Sequence, residues 1–240
     1  MSENICYTDA YAREVAATVV DVDTDTNAVL LDRTVFYPGG GGQPADTGEL
    51  IGEDGASWPV TGAKKRGDDI WHNVEGGLPT GGTKVTARLD WERRHRLMRT
   101  HSALHVLCGV IWRDYQAPVT GGQMEPGQAR MDFELERMTA DFAEEIEAKV
   151  NAEIAAARSV TVRILPREEA FAIPDLIRTK INLLPEGITE VRTIEIVGLD
   201  LQADGGTHVA NTREVGPIRV TGYASKGRIN KRIRIELVAP

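Results

Sequence analysis

The chain has 240 residues, 41% of them hydrophobic, with 28 lysines and arginines against 36 aspartates and glutamates, a formal net charge of -8 and a mean hydropathy of -0.27. That length suits one large domain or two small ones with room for a core, and the acidic balance argues against indiscriminate nucleic-acid binding. No apolar run reaches the ~18 residues of a membrane helix, the first residues lack the pattern of a secretory leader, and two cysteines, Cys6 and Cys108, make no disulfide framework, so a reducing cytoplasm and no membrane are expected.

In chain order, residues 1–88 read as β-rich. Apolar runs at Glu14–Val22 and Ala28–Phe36 flank a polar turn at Asp21–Asn27. Four consecutive glycines then stand in Phe36-Tyr-Pro-Gly-Gly-Gly-Gly-Gln-Pro-Ala-Asp46. They open backbone geometries closed to other residues at a cost in chain entropy, and the flanking aromatics and prolines favour a shaped binding loop over a loose hairpin tip. Turn signals at 52–55, 66–69, 76–77 and 81–82 separate short strands, as in a small barrel or sandwich. Trp58, Trp71 and Trp91 are expected to fill its core or its border, and His72 to be an ordinary strand residue.

At Asp90 the period changes. Asp90 is a helix cap, Glu92 suits the first turn, and Leu97, Met98, Leu104, Leu107, Val110 and Ile111 fall at helical spacing to about Tyr115. The boundary therefore lies near residue 89, giving domains 1–89, with the glycine-rich loop, and 90–240. Residues 116–127 read as a loop and Ala129–Leu135 as a strand. Thr139 caps a second helix to about Arg158, with Phe142, Ile146, Val150 and Ile154 spaced by four. Ser159–Leu165 alternates as a strand, Pro166 opens a short helix to Ala172, and 173–187 is irregular, with prolines at 174 and 185. Strands follow at Glu190–Val197, Ile218–Gly222 and Arg228–Val238, so the second domain is α+β.

Two motifs point to chemistry. His101-Ser-Ala-Leu-His105 lies in the first helix, where a spacing of four puts both imidazoles on one face, within reach of one tetrahedral Zn²⁺. Asp204-Gly-Gly-Thr-His208 repeats the spacing about a hundred residues later. A metal held by His101, His105, His208 and Asp204 could polarise a carbonyl or lower a bound water's pKa from 15.7 toward ~7, chemistry suited to ester or amide hydrolysis. With Asp204 as a ligand the coordination sphere closes unless it expands to five; with Asp204 outside it, a fourth position stays open. A structural metal, or a histidine pair in a core without one, is the alternative. Basic residues crowd at Arg93, Arg94, His95, Arg96 and Arg99, and again at Lys226, Arg228, Lys231, Arg232 and Arg234.

The stretches Leu31-Asp-Arg-Thr-Val-Phe-Tyr-Pro38, Gly40-Gly-Gly-Gln-Pro-Ala-Asp46, His101-Ser-Ala-Leu-His105 and Gly205-Gly-Thr-His-Val209 resemble, in order and separation, the editing domain of alanyl-tRNA synthetase. The chain as a whole is similar to the AlaX family of free-standing alanyl-tRNA editing proteins, of the medium-length type. The resemblance implies a small N-terminal β-barrel followed by the α+β editing fold shared with threonyl-tRNA synthetase. It implies an aminoacyl-tRNA deacylase, a hydrolase acting in trans on tRNA(Ala) mischarged with serine or glycine. It also implies zinc ligands at His101, His105, position 204 and His208, where cysteine usually occupies the third of these and this chain has Asp204. Cys108, one turn beyond His105, could supply sulfur instead, though a small buried hydrophobe is its expected role. Gln43 is implied to approach the substrate end, Thr34 to recognise the serine hydroxyl, and the arginines at 93, 94, 96 and 99 to meet tRNA phosphates. Two rival readings stay open, a zinc-stabilised tRNA-binding module without catalysis and a metal hydrolase of small esters or amides.

Overall fold

The structure, a computed structural model, describes residues 2–181, 184 and 187–238; Pro185 and part of the irregular stretch expected around it lie outside the described residues. The chain divides into two compact units, Met1–Arg96 and Leu97–Pro240.

The first unit holds β1 (Glu3–Asn4), β2 (Glu14–Asp23), β3 (Ala28–Leu31), β4 (Arg33–Thr34), β5 (Gly48–Gly52), β6 (Ser57–Arg66), β7 (Asp69–Val74) and β8 (Lys84–Leu89). Six of these close into a barrel in the order β2-β3-β7-β6-β5-β8, as the density of turns leads one to expect. Strict alternation drives the closure: Ile70, His72 and Val74 on β7, and Val85, Ala87 and Leu89 on β8, point inward and are buried. Register shifts after Val19 and after Val60 bend the two long strands so that the sheet can close. Phe36 and aliphatic side chains fill the interior. Trp58 and Trp71 are half-buried instead. A six-stranded barrel is narrower than the eight-stranded kind whose interior just admits ordinary side chains, so the indoles sit at its margin, Trp71 beneath the Arg66 guanidinium.

The glycine-rich loop hangs from β4 and is rigidly built. Gly39, Gly40, Gly41 and Gly42 all have positive φ, between 57° and 135°, which is why the run must be glycine. Gly40 and Gln43 exchange backbone hydrogen bonds of 3.0 and 2.9 Å, and the Tyr37 hydroxyl donates to the Gly40 carbonyl at 3.0 Å. The loop's base is closed by Asp46, whose N–H donates to the Tyr37 carbonyl and whose carboxylate accepts the Tyr37 N–H at 2.6 Å. Asp46 in turn is gripped by Arg94, whose Nε lies 3.0 Å from both carboxylate oxygens. The same guanidinium donates to the carbonyls of Val35 at 2.7 Å and Ala10 at 2.9 Å. Arg94 is fully buried and Asp46 nearly so. The expectation that Arg94 meets tRNA phosphates is thus corrected, because its charge is spent inside the first unit. Arg93 is half-buried and donates to the Ala45 carbonyl at 3.2 Å.

α1 (Trp91–Tyr115) starts where the Asp90 cap predicts, with the Arg93 N–H donating to the Asp90 carboxylate at 3.1 Å. Beyond Leu97 it is the centre of the second unit. Every residue from Leu97 to Ile111 except Arg99 is buried, so this stretch is enclosed on all sides rather than amphipathic. Around it lie β9 (Val119–Glu125), β10 (Gln128–Glu134), α2 (Ala140–Ala155), β11 (Val160–Pro166), α3 (Arg167–Phe171), β12 (Glu190–Ile196), β13 (Asp200–Ala203), β14 (Ile218–Ser225) and β15 (Asn230–Leu237). They form a four-stranded antiparallel sheet, β14-β15-β10-β9, and a three-stranded one, β11-β12-β13. Residues 119–125, expected as loop, form an edge strand because β10 supplies a full register of partners; pairing overrides a glycine-rich, polar composition. α2 begins at Thr139, whose hydroxyl accepts the Phe142 N–H at 3.2 Å. Its Asn151 pairs with both backbone groups of Ile218, and Glu147 accepts the Val220 N–H, so this helix covers the open edge of β14. At the far end of the sheet Lys231 is buried against the carbonyls of Gly227 and Arg228, and Arg232 is paired with Asp132, so part of the C-terminal basic cluster is already neutralised or committed.

Replacing Arg94 by methionine leaves the Asp46 carboxylate buried without its cation and should lower stability by about 3–5 kcal/mol. The double substitution Arg94→Met, Asp46→Asn should cost less than the sum of the singles. Denaturant unfolding measures both, and additive losses would show that the pair does not act as a unit.

Candidate metal centre

The second unit brings four side chains to one buried point. His101 and His105 come from the middle of α1, one turn apart; Asp204 and His208 come from the turn after β13. The ring centroids of His101, His105 and His208 are 4.3–5.2 Å apart. One Asp204 oxygen lies 3.6 Å from His101 Nε2 and 4.0 Å from His105 Nε2, and the other lies 3.1 Å from His208 Nε2. The three histidines are buried, and the Asp204 side chain is 13% exposed.

Local structure holds the turn in place. Asp204 also accepts the Gly206 N–H at 2.6 Å, and Arg192 on β12 spans the turn by donating to the carbonyls of Asp204 and Gly206 at 3.0 and 2.8 Å. His208 Nδ1 lies 3.2 Å from the Ser102 hydroxyl, which accepts the Val209 N–H at 3.2 Å. His105 Nδ1 faces the Asp200 carboxylate at 3.3 Å.

Electrostatics follow from burial and proximity. Burial, aided by His105 and Arg192 against the pull of Asp204, lowers the pKa of His101 to about 4. Burial and the neighbouring His101 push His208 well below its ordinary value. For His105 burial is outweighed by Asp200 and Asp204, and its pKa rises. Burial works against the charge of Asp204, but His101, His208 and His105 together hold its carboxyl well below the usual range. The centre is therefore an ionised carboxylate among imidazoles, two of which stay neutral.

Four donor atoms, one from each residue, lie within 4.8 Å of one another, and the group could hold a metal ion. Ligands about 2.0–2.1 Å from a tetrahedral zinc sit roughly 3.3 Å from each other. The carboxylate–imidazole separations are 3.1–4.0 Å, counted to two different oxygens of Asp204, and the four donor atoms lie within 4.8 Å of one another, so closing on an ion would draw some of them together by up to about 1.5 Å. Three neutral-capable nitrogens and one anionic oxygen make a donor set that suits zinc. Cys108, the other possible donor, stays outside the group; it is buried, and burial followed by the charge of Asp200 raises its pKa well above the ordinary thiol value.

The two sites implied for the first unit are placed differently. Gln43 is buried at the end of the glycine-rich loop. Thr34 is fully buried inside the barrel, its hydroxyl 2.7 Å from His72 Nε2 and accepting the Phe36 N–H at 3.1 Å. His72 Nδ1 lies 3.0 Å from the Val29 carbonyl, which can only accept, so Nε2 is bare and Thr34 donates to it. Asp200, Arg192 and the partnership of His72 with Thr34 escape a motif search, while Ser102 and Thr34 themselves lie within the motifs quoted above. Asp200 and Gln202 left one trace, two polar residues at i, i+2 in Gly198-Leu-Asp-Leu-Gln-Ala203, facing the same way on what proves to be a strand.

Comparison with known proteins adds lineage to geometry. The family described as tRNA synthetases class II (A) matches residues 7–93, and the threonyl and alanyl tRNA synthetase second additional domain matches residues 191–234. The alanyl-tRNA editing protein AlaX-M of Methanosarcina barkeri is 41% identical over 99% of this chain and 100% of its own length, and its counterpart in Methanosarcina mazei is 39% identical over 99% and 97%. The chain belongs to the AlaX family of alanyl-tRNA editing proteins. An alanine–tRNA ligase of Ignicoccus hospitalis is 35% identical over 99% of this chain but only 26% of its own length, so this AlaX chain corresponds to one portion of a larger synthetase. Among the described residues no helix is long and apolar enough to cross a membrane.

Two outcomes are expected. The full chain should bind one zinc, His105→Ala should abolish binding, and Asp204→Cys should retain or tighten it; elemental analysis after dialysis reads all three, and a several-fold loss in Asp204→Cys would count against position 204 as a ligand. His72 is the second case, its pKa lowered by burial to about 4 against the Val29 hydrogen bond. The folded barrel refuses a proton that the unfolded chain takes up near pH 6.5, so the stabilisation is whole above that pH and is lost as pH falls toward 4. The loss is about 3 kcal/mol, and exchange rates of the β3 and β7 amides should track it, with His72→Gln flattening the dependence.

Proposed function

We propose that this chain is a zinc-dependent aminoacyl-tRNA deacylase that clears tRNA(Ala) mischarged with serine, and also with glycine, acting in trans in the cytoplasm. The observation that carries the reading is the convergence of His101, His105, Asp204 and His208 in a full-length relative of proteins named for alanyl-tRNA editing.

His101, His105 and His208 would hold the metal with Asp204 completing the set. When bound, zinc supplies a Lewis acid that polarises an ester carbonyl. The residues themselves do the rest. Desolvation keeps His101 and His208 uncharged, so their nitrogen lone pairs are available at neutral pH. Asp204 removes one positive charge from the centre. Arg192 fixes the turn that carries Asp204 and thereby the entry angle of both its oxygens.

Gln43 and Thr34 carry substrate recognition in this reading. The Gly39–Gly42 backbone orders Gln43, which this reading assigns to the aminoacyl end. Thr34 already donates a hydrogen bond to His72 and accepts one from Phe36, so its remaining lone pair can only accept. In this reading a serine hydroxyl would donate to that lone pair and alanine would make no such bond, a difference of about 1 kcal/mol.

The test is single-turnover hydrolysis of Ser-, Gly- and Ala-tRNA(Ala), with and without chelator. Serine and glycine should be released and alanine spared, with chelation and His105→Ala each abolishing release. Thr34→Val should slow Ser-tRNA(Ala) about tenfold relative to Gly-tRNA(Ala), and Gln43→Ala should slow both without unfolding the chain. Equal hydrolysis of all three substrates overturns the reading, and tRNA binding without hydrolysis reduces the chain to a binding module.

A further inference from the structure

Behind the metal centre lies a row of buried polar groups that the ligand set does not use. His105 Nδ1 points away from Asp204 and toward Asp200 Oδ2 at 3.3 Å. Asp200 Oδ1 faces Arg178 Nε at 3.5 Å, and Asp200 Oδ2 accepts the Gln202 amide at 2.6 Å. The Asp200 side chain is fully enclosed, and the Arg178 guanidinium is fixed over the Trp112 ring at 4.6 Å. His105 Nδ1, Asp200 Oδ1 and Arg178 Nε are all buried without a well-formed hydrogen bond, an expensive arrangement for three neighbouring polar atoms.

The backbone is shaped to allow this approach. A methyl group placed on Gly109, one turn beyond His105, would lie 2.9 Å from Leu199 Cγ and 3.0 Å from Asp200 Cβ. The chain entering β13 therefore lies directly on the helix at the level that delivers a carboxylate to His105. Buried carboxylates are costly unless something nearby needs the charge.

We propose that Asp200 is the positioning residue of the metal centre: it accepts a hydrogen bond from the Nδ1–H of His105, fixes the ring so that Nε2 faces inward, and makes that nitrogen a stronger donor, with Arg178 and Gln202 holding the carboxylate in place. This rests on the zinc reading above. The logic is that of a ligand imidazole generally. Once Nε2 is committed to a cation, Nδ1 must carry the proton and needs an acceptor; carboxylates in that position set ring orientation and donor strength, and their removal weakens metal binding 10–100-fold.

The experiment is zinc affinity of the full chain, stripped of metal and titrated against a chromophoric chelator, together with the visible absorption of the cobalt(II)-loaded form. Asp200→Asn should bind zinc roughly 10–100-fold more weakly and shift the cobalt bands, because the field from His105 changes; a packing role alone would leave those bands in place. Gln202→Met, which removes only the amide that steadies Asp200, should weaken binding in the same direction by less, and it decides the matter if Asp200→Asn does not fold. Unchanged affinity and an unchanged cobalt spectrum in a folded Asp200→Asn overturn the positioning role while leaving the metal centre standing. Failure of the unsubstituted chain to bind zinc overturns the centre itself and this role with it.

Discussion

One ionised carboxylate enclosed by three imidazoles is the constraint on which the second unit turns. Buried charge without a partner is among the most expensive things a fold can contain, and Asp204 meets its cost by facing His101, His105 and His208 at 3.1–4.0 Å. The two histidines of α1 lie within its Leu97–Ile111 stretch, which is buried apart from Arg99. The short sheet β11-β12-β13 serves the same point, since β12 supplies Arg192 to shape the turn and β13 delivers the chain into it. The helix places one pair of donors, the turn the other.

The first unit solves a related problem with a different charge pair. Its glycine-rich loop is entropically costly to order, and Asp46 closes it only because Arg94 neutralises the carboxylate and reaches the carbonyls of Val35 and Ala10 as well. A cation that sequence alone places on a basic, phosphate-facing helix is in fact the keystone of a loop. Charge clusters read from sequence count residues; they do not say which guanidiniums are already spent.

Much of the fold was legible because its signals are local. Period-two alternation marks β7 and β8, Asp90 and Thr139 announce two helices, and the barrel follows from the spacing of turns. The donor set was legible for the same reason, since His101 and His105, and Asp204 and His208, each repeat at four. The supporting groups were not. Asp200 meets His105 across ninety-five residues of sequence, Ser102 meets His208 across a hundred and six, and β9 is a strand only because β10 lies beside it. Interactions of that kind are set by tertiary pairing, which propensity cannot anticipate.

The Ser102 hydroxyl has a consequence for the tautomer of His208. Its oxygen is tethered by the Val209 amide, but its hydrogen is free to rotate. It can therefore serve His208 as donor when Nδ1 is bare and as acceptor when Nδ1 carries hydrogen, and turning one O–H bond converts between them. Either tautomer of His208 is then accommodated by turning a hydroxyl, without moving the backbone.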